Sequence, residues 1–426
     1  MTSRQDVGFV SHSPIISMYP LLQRLRVIEC ASFIAAPSCC LHLSQMGAQV
    51  VRIDPIGGGP DFHRWPRAAG GDRASLYWEG LNKGKLSVAV DFGSPEGREL
   101  VTQLICAPGA DAGLFVTNFP AEGFLSHERL RAHRADLITT RVMGWPDGTP
   151  ALDYTINAAV GVPSMTGPVE GTAPVNHVLP AWDLLTGAYA AFATLAAERS
   201  RRESGQGQEL RIPLSDVAIA SLANMGQVAE VLQGGDRPRM GNELFGAFGR
   251  DFVTSDGQSL MVVALTRRQW SGLVESLGLQ AAVAGIEASL GVSFAVDEGV
   301  RFEHRGVLLP LVEAAIARRT AADLGPAFDA HGACWGPYRT LAGGIAADPR
   351  LVTGNPMFTP VAHPSGTTYP TPGAMATLSQ RERDEPRRAP RLGEHTDQVL
   401  AERLGLTAAQ IGRLHDTGRV AGAKEH

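Results

Sequence analysis

The sequence predicts an α/β fold built on a parallel sheet, and three observations carry that prediction. Short apolar, β-branched runs alternate with helix-like segments from residue 25 to about 144. The runs are predominantly apolar, as expected of strands covered on both faces. Serine, proline and glycine punctuate the helices between them at the expected ends.

LRVIECA (25–31) reads as a buried strand, and Pro37 opens a helix, SCCLHLSQM, that stops at Gly47. QVVRIDP (49–55) is the second strand and LSVAVDF (86–92) the third. Ser94, Pro95 and Glu96 supply an N-cap, a first-turn proline and an early acid for a helix running to about Cys106. AGLFVTNF (112–119), a helix through 122–134 and DLITTRVMG (136–144) complete the alternation. Beyond Pro180 the pattern changes to two long helices, 182–202 and 214–233, the first apolar on several faces and therefore expected to be buried. A Gly/Pro/Arg-rich loop at 236–249 marks a boundary. A mixed α+β segment then runs to about Trp335, and HTDQVLAERLG (395–405) closes the chain with a helix. The predicted organisation is an N-terminal extension (1–21), a large domain (22–213), a helical linker (214–239), a small α+β domain (240–335) and a return to the large domain (336–426).

Composition narrows the function. With 44% hydrophobic residues in 426, the chain can bury a large core, and its net charge of −5 gives no global attraction for nucleic acid or an anionic membrane. Five cysteines without C-x-x-C spacing argue against a disulfide framework or a zinc site. No apolar run reaches the ~20 residues of a membrane span, and the N-terminus lacks the apolar stretch of a signal peptide, so a cytoplasmic location is expected.

The turn after the first strand, Cys30 to Pro37, contains neither G-x-G-x-x-G nor a Walker motif, which removes most support for a nicotinamide-dependent or P-loop enzyme. No G-x-S-x-G or H-E-x-x-H is present, which disfavours a serine hydrolase or a metalloprotease. Arg52, Arg64, Arg67, Lys83 and Lys85 cluster near strand ends, as a polyphosphate ligand would require, although a solvated turn has equal claim. Asp183, between the apolar approach VLPAW and an apolar helix, is either an N-cap or a nucleophile at a helix start. Asp153 presents the same two alternatives; His177 and His395 have no metal-ligand spacing, and His177 reads as structural rather than as a general base.

LRVIECASFIAAPSCCLHLSQMGAQVVRIDPIGGG, LNKGKLSVAVDFGSPEGRELV, FVTNFPAEGFL and APRLGEHTDQVLAERLGLT together resemble the class III CoA transferases, in family order over about residues 22–421. The resemblance implies a Rossmann-like large domain, a smaller domain, and an interlocked homodimer acting on an acyl-CoA. CoA itself arrives as part of the substrate, with no separate cofactor and no metal. It puts the catalytic aspartate on Asp183 and CoA contacts on Ile34, Ala35, Asn82, Lys83, Gly84, Lys85, Asn118 and Phe119. Leu86, Ser126 and Met143 stand where many members carry polar or cationic groups, so Arg52, Lys83 and Lys85 are expected to compensate. Leu152 replaces the histidine that racemases of the family carry before Asp153, which removes one of the two acid–base groups racemisation needs.

DPIGGG, RWP, LICAPG, MTGPV, VNHVLPAWD, GAFGRDF and GPYRT are similar to the branch that moves CoA within one dicarboxylate, from C1 to C4 of mesaconate, in the 3-hydroxypropionate bicycle of CO2 fixation. The alternative is transfer between a dicarboxylyl-CoA and a separate free acid. Either chemistry proceeds through an aspartyl anhydride and an aspartyl-CoA thioester. Gly241, Asn242 and Gly246 are expected to supply oxyanion donors, and Arg250 or Arg339 to hold the distal carboxylate.

Overall fold

The computed structural model describes residues 19–70 and 74–423. Most of the expected N-terminal extension, residues 1–18, lies outside the described residues. Its last three residues do not trail free. Tyr19 is fully buried and donates its phenol hydrogen to the Ala376 carbonyl at 3.0 Å, and Pro20–Leu22 form a 3-10 turn.

In chain order the elements are β1 (Arg26–Cys30), α1 (Ala35–Gln45), β2 (Gln49–Pro55), α2 (Leu76–Asn82), β3 (Leu86–Val90), α3 (Pro95–Ile105), β4 (Leu114–Thr117), α4 (His127–His133) and β5 (Ile138–Met143). Then follow α5 (Asp153–Ala159), the single turn α6 (Val162–Met165), α7 (Ala181–Ser204), β6 (Glu209–Pro213), α8 (Leu214–Asn224) and α9 (Gln227–Gly234). Next come β7 (Phe248–Val253), β8 (Ser259–Ala264), α10 (Arg267–Leu277), α11 (Gln280–Leu290), α12 (Glu298–Glu303), α13 (Arg305–Ile316), α14 (Ala321–His331), β9 (Cys334–Pro337) and α15 (Leu341–Ala347). The hairpin β10 (Phe358–Ala362) and β11 (Thr368–Pro372), then α16 (Thr396–Leu404), α17 (Ala408–Asp416) and β12 (Val420–Ala421) complete the chain.

Two compact units result. The first comprises residues up to 160, 178–225 and 350 onward. Its seven-stranded sheet has the order β12-β3-β2-β1-β4-β5-β6, parallel except for β12, which pairs with β3 antiparallel. The order reverses beside β1: β2 and β3 extend one way, β4 to β6 the other. Such a reversal opens a crevice past the carboxyl ends of β1 and β4. Alternate residues feed two cores, with Val27, Val50 and Leu114 on one face of the sheet and Ile28, Val51 and Phe115 on the other. This is the expected both-faces-covered sheet. Ser94 caps α3 as expected, its hydroxyl accepting the Gly97 N–H at 3.1 Å.

The second unit comprises residues 161–177 and 226–349. The antiparallel sheet β7-β8-β9 packs with α10, α13 and α14 around Phe248, Trp270, Phe294 and Phe328.

Several local expectations are corrected. The stretch 214–233 is not one helix: it breaks at Met225–Gly226, where Gly226 turns into the left-handed region at φ +82°, separating α8 from α9. The break is also the unit boundary, so the expected linker divides, with α8 in the first unit and α9 in the second. Residues 161–177 and 336–349, read with the large domain, group with the second unit. Helix α7 buries only one apolar face. Gly187, Ala190, Thr194 and Ala197 turn inward, while Leu185, Tyr189 and Phe192 are exposed in this chain. Close approach explains the small residues: a Cβ on Gly187 would lie 1.9 Å from Ser38 Oγ and 2.7 Å from the Ala35 carbonyl oxygen of α1. The short edge strands β6 and β12 and helix α17 had no counterpart in the sequence reading.

Candidate active site

Asp183 lies in the first turn of α7, and the question left open by residue types alone is whether it caps that helix. It does not. A helix leaves four N–H groups without intrahelical acceptors at its start. Here the Ala181 N–H goes to the Leu179 carbonyl at 2.7 Å, and the Leu184 N–H closes the first helical bond to Pro180 at 3.1 Å. The Trp182 and Asp183 N–H groups both go to Asp153 Oδ2, at 2.7 and 3.0 Å. The residue at the cap position, Pro180, has no N–H that Asp183 could accept in return. Asp153 is therefore the cap, acting from a different helix.

Helix α5 makes this possible by presenting Asp153 and Asn157, one turn apart, on the same face. Asn157 Oδ1 accepts the Trp182 indole N–H at 3.0 Å while Asp153 holds the backbone beside it. Tyr154 reaches the Val178 carbonyl at 3.5 Å, so three residues of α5 clasp the segment that leads into α7. Thr155 starts α5 in turn, its hydroxyl accepting the Leu152 N–H at 3.0 Å. Asp153 itself is buried.

The Asp183 carboxylate accepts no hydrogen bond from the described residues. Burial, then the negative charge of Asp153, push its pKa up to about 7, against a smaller downward pull from Arg64. A carboxylate in the first turn of a helix is ordinarily stabilised by the helix dipole; this one is destabilised. Tyr77 of α2 shares the surroundings. Burial raises its pKa, with Asp61 and Asp183 adding to the rise, and its phenol oxygen is buried without a partner among the described residues. The Arg64 guanidinium lies over both the Tyr77 and Phe33 rings, at 5.3 and 5.4 Å. Tyr77 escaped the sequence reading because an isolated tyrosine in an apolar helix looks like core.

The expected CoA contacts divide into two groups. Ile34, Ala35, Asn118 and Phe119 follow the carboxyl ends of β1 and β4. Asn118 clamps the loop after β1 with both ends of its amide, accepting the Ser32 N–H at 3.1 Å and donating to the Ser32 carbonyl at 2.8 Å. The Phe119 N–H is held by Thr117 Oγ1 at 3.0 Å, and Phe33 sits in the left-handed region at φ +69° with its N–H on Asp61 Oδ2.

The other group is internal. Arg52 is completely buried and distributes its guanidinium over Asp54, Asp61, Glu29 and Asn82 at 2.9–3.3 Å. Lys85 is buried beside it, its ammonium on Glu29 at 2.7 Å, the Pro37 carbonyl at 2.9 Å and Asn82 at 3.0 Å. Arg52, Asn82 and Lys85, expected at the ligand, thus have their donors and acceptors spent on one another and on three carboxylates. The partners come from three separate stretches of chain, so composition could not show that the cations were already paired. Lys83 is also buried, its ammonium on the Gly80 carbonyl at 2.7 Å, and burial lowers its pKa to about 8. Gly84 adopts φ +75° and donates its N–H to the Arg388 carbonyl.

Gly241, Asn242, Gly246, Arg250 and Arg339 all belong to the second unit. Gly241 and Gly246 turn through φ +60° and +78°, conformations that favour glycine. Arg250 is paired with Glu313 at 2.9 Å, whereas Arg339 is exposed and makes no ion pair with the described residues. His395 accepts the Ser87 N–H through Nδ1 at 3.1 Å. A cavity of about 350 Å3 in the first unit is lined by Ile56, Phe62, Trp78, Glu79 and Leu392 among others; Asp183 is not in its wall. Among the described residues, no helix is long and apolar enough to cross a membrane.

Comparison with known proteins decides the family. The chain matches the CoA-transferase family III pattern over residues 22–396. It belongs to CoA-transferase family III. It is 50% identical over 406 residues to a 2-methylfumaryl-CoA isomerase of Chloroflexus aurantiacus, covering 95% of this chain and 99% of that protein. A succinyl-CoA–D-citramalate CoA-transferase of the same organism is 28% identical, over 92% of this chain and 96% of the relative. Among solved structures, a CAIB/BAIF family protein from Brucella suis superposes with a TM-score of 0.72 at 26% identity, covering 91% of this chain and all of its own. The α/β architecture read from the sequence is the architecture of this family.

Proposed function

We propose that this enzyme moves CoA from C1 to C4 of mesaconate, converting 2-methylfumaryl-CoA to 3-methylfumaryl-CoA within one active-site visit. The observation that carries this reading is the 50% identity to the Chloroflexus isomerase over nearly the full length of both chains. The environment of Asp183 supplies the chemical rationale. A desolvated carboxylate close to a thioester carbonyl is a competent nucleophile, and Asp183 has the burial, the raised basicity and the absence of a capping duty that this role needs.

In the proposed sequence one Asp183 oxygen attacks C1, the C–S bond breaks, and an aspartyl–acyl anhydride and CoA thiolate result. The thiolate attacks the aspartyl carbonyl and expels mesaconate as its dianion, leaving an aspartyl-CoA thioester. The C4 carboxylate attacks that thioester, releasing thiolate and forming the second anhydride. Thiolate attack at the C4 carbonyl yields product and regenerates the Asp183 carboxylate. No proton or electron is gained or lost overall, so no cofactor beyond the substrate's own CoA is invoked.

The pantetheine arm is assigned to the crevice at Ile34, Ala35, Asn118 and Phe119. Gly241, Asn242 and Gly246 are kept as oxyanion donors. Arg339 is the better candidate for the distal carboxylate, since Arg250 already holds Glu313. The exposed Leu185, Tyr189 and Phe192 of α7 are consistent with a homodimer, and the weakly acidic chain with life in the cytoplasm.

The test is isotopic. Turnover in the presence of labelled free mesaconate should leave the product unlabelled, and quenching during turnover should trap an adduct on Asp183 by mass spectrometry. Rapid label incorporation would convert the assignment to transfer between molecules. A trapped adduct elsewhere would remove Asp183 from the mechanism.

A further inference from the structure

Asp153 is buried, lies on a different helix from Asp183, and accepts both N–H groups at the start of α7. We propose that Asp153 is a positioning residue for the nucleophile: it occupies the anion-binding end of α7, so that the Asp183 carboxylate is aimed by the helix without being stabilised by it. The proposal rests on the nucleophile reading of Asp183, and its argument is one of hydrogen-bond accounting. Free N–H groups at a helix start bind anions well, and the nearest anion in this turn is the Asp183 side chain itself. Were the Trp182 and Asp183 N–H groups free, that carboxylate could fold back on them and lose reactivity. With every early N–H of α7 committed elsewhere, it cannot.

A neutral cap such as serine would satisfy the same N–H groups. Asp153 adds a full negative charge next to the nucleophile, the second largest cause of its raised basicity after burial. The other groups acting on Asp183 are Arg64, from the loop after β2, which lowers its pKa, and Tyr77 of α2, which Asp183 influences in turn. Asp153 thus has two separable effects, a hydrogen-bonding one that fixes geometry and a charge effect that sets reactivity.

Asp153→Asn separates them, because the amide oxygen can still accept both N–H groups while the charge is gone. The expected result is an acid limb of the kcat–pH profile moved down from about 7 by roughly one pH unit, and kcat at pH 8 reduced about 3- to 10-fold. KM and the melting temperature should stay near wild type. Asp153→Ala removes the cap as well, and about a 100-fold loss of kcat is expected. Asp153→Glu restores the charge and should restore the high midpoint. Should Asp153→Asn fail to fold, Asp153→Ser, another neutral cap, takes its place.

A readout independent of turnover is the infrared band of the Asp183 carboxyl, assigned by difference against Asp183→Asn and titrated with pH. Its midpoint should fall in Asp153→Asn by the same amount. An unchanged midpoint and unchanged kcat in the neutral-cap variant would overturn the proposal. A shifted midpoint, with full activity retained in Asp183→Ala, would instead sink the nucleophile reading, and the positioning role with it, and leave only the electrostatic coupling of the two carboxylates standing.

Discussion

The carboxylates around Arg52 and the carboxylate of Asp183 are all withdrawn from water, yet they are treated in opposite ways. Glu29, Asp54 and Asp61 share Arg52 and Lys85, with ion-pair distances of 2.7–3.3 Å. Asp183 has no ion pair of that kind among the described residues; the pull of Arg64 on it is smaller than the push of Asp153, which carries the same sign. Where two cations serve three buried carboxylates through direct ion pairs, the cluster ties down the β1 loop, with Asp61 holding the Phe33 N–H. Where burial is left uncompensated, the stored electrostatic energy is available to chemistry. Cationic residues alone point to the first cluster as the ligand site; their partners show that in this chain they also hold the strands and the β1 loop together.

Four experiments probe this contrast. The largest effect belongs to Asp183→Ala, which should lower kcat by at least about 1000-fold, as loss of a covalent catalyst does, while circular dichroism and melting temperature show an intact fold. Activity above ~1% of wild type would erase the distinction between the two sites. Arg52→Met comes next. Because it strands the buried Asp54 and Asp61 and leaves Glu29 to Lys85 alone, denaturant unfolding should show a loss of about 3–5 kcal/mol, whereas a phosphate-binding arginine would weaken CoA affinity and leave stability alone.

Asp183→Asn sharpens the comparison from the other side. The wild-type carboxyl ionises near 7 in the folded chain and near 3.8 when unfolded. The folded state therefore holds its proton longer, and ionising the group costs stability as pH rises through that window. The amide variant should match wild type below about pH 4 and exceed it above pH 7, by up to about 4 kcal/mol, the full value of such a shift. Unfolding curves at pH 3.5 and 8 read the sign. Smallest is Gly187→Ala, whose Cβ would collide with Ser38 and the Ala35 carbonyl. Overpacking of this kind costs about 1–3 kcal/mol, and by displacing the start of α7 it should lower kcat more than it raises KM.

Local signals were read well from the sequence. β2 spans the residues its apolar run marked, and Ser94-Pro95 starts α3 as its cap chemistry requires. What escaped depended on distance along the chain. Asp153 caps a helix that begins 28 residues later, so no spacing rule links it to Trp182 and Asp183. Arg52 meets Glu29, Asp61 and Asn82 only after β1, β2 and α2 have been brought together. β6 and β12, five and two residues long, carry too few side chains to announce a strand. Gly226 was visible, but its capacity to end α8 depends on a backbone angle that the letter alone does not reveal.

The sheet's far edge is supplied by β12, and the face of β3 is covered by Val399, Leu400 and Ile411 from α16 and α17. During synthesis on the ribosome, the whole second unit therefore emerges before the first can close its own hydrophobic layer. The nascent large unit must wait, with β3 unpaired on one side, until residues 396–421 have been made. Truncation or a bulky fusion near residue 420 would accordingly be felt in the yield of soluble protein before it was felt in catalysis.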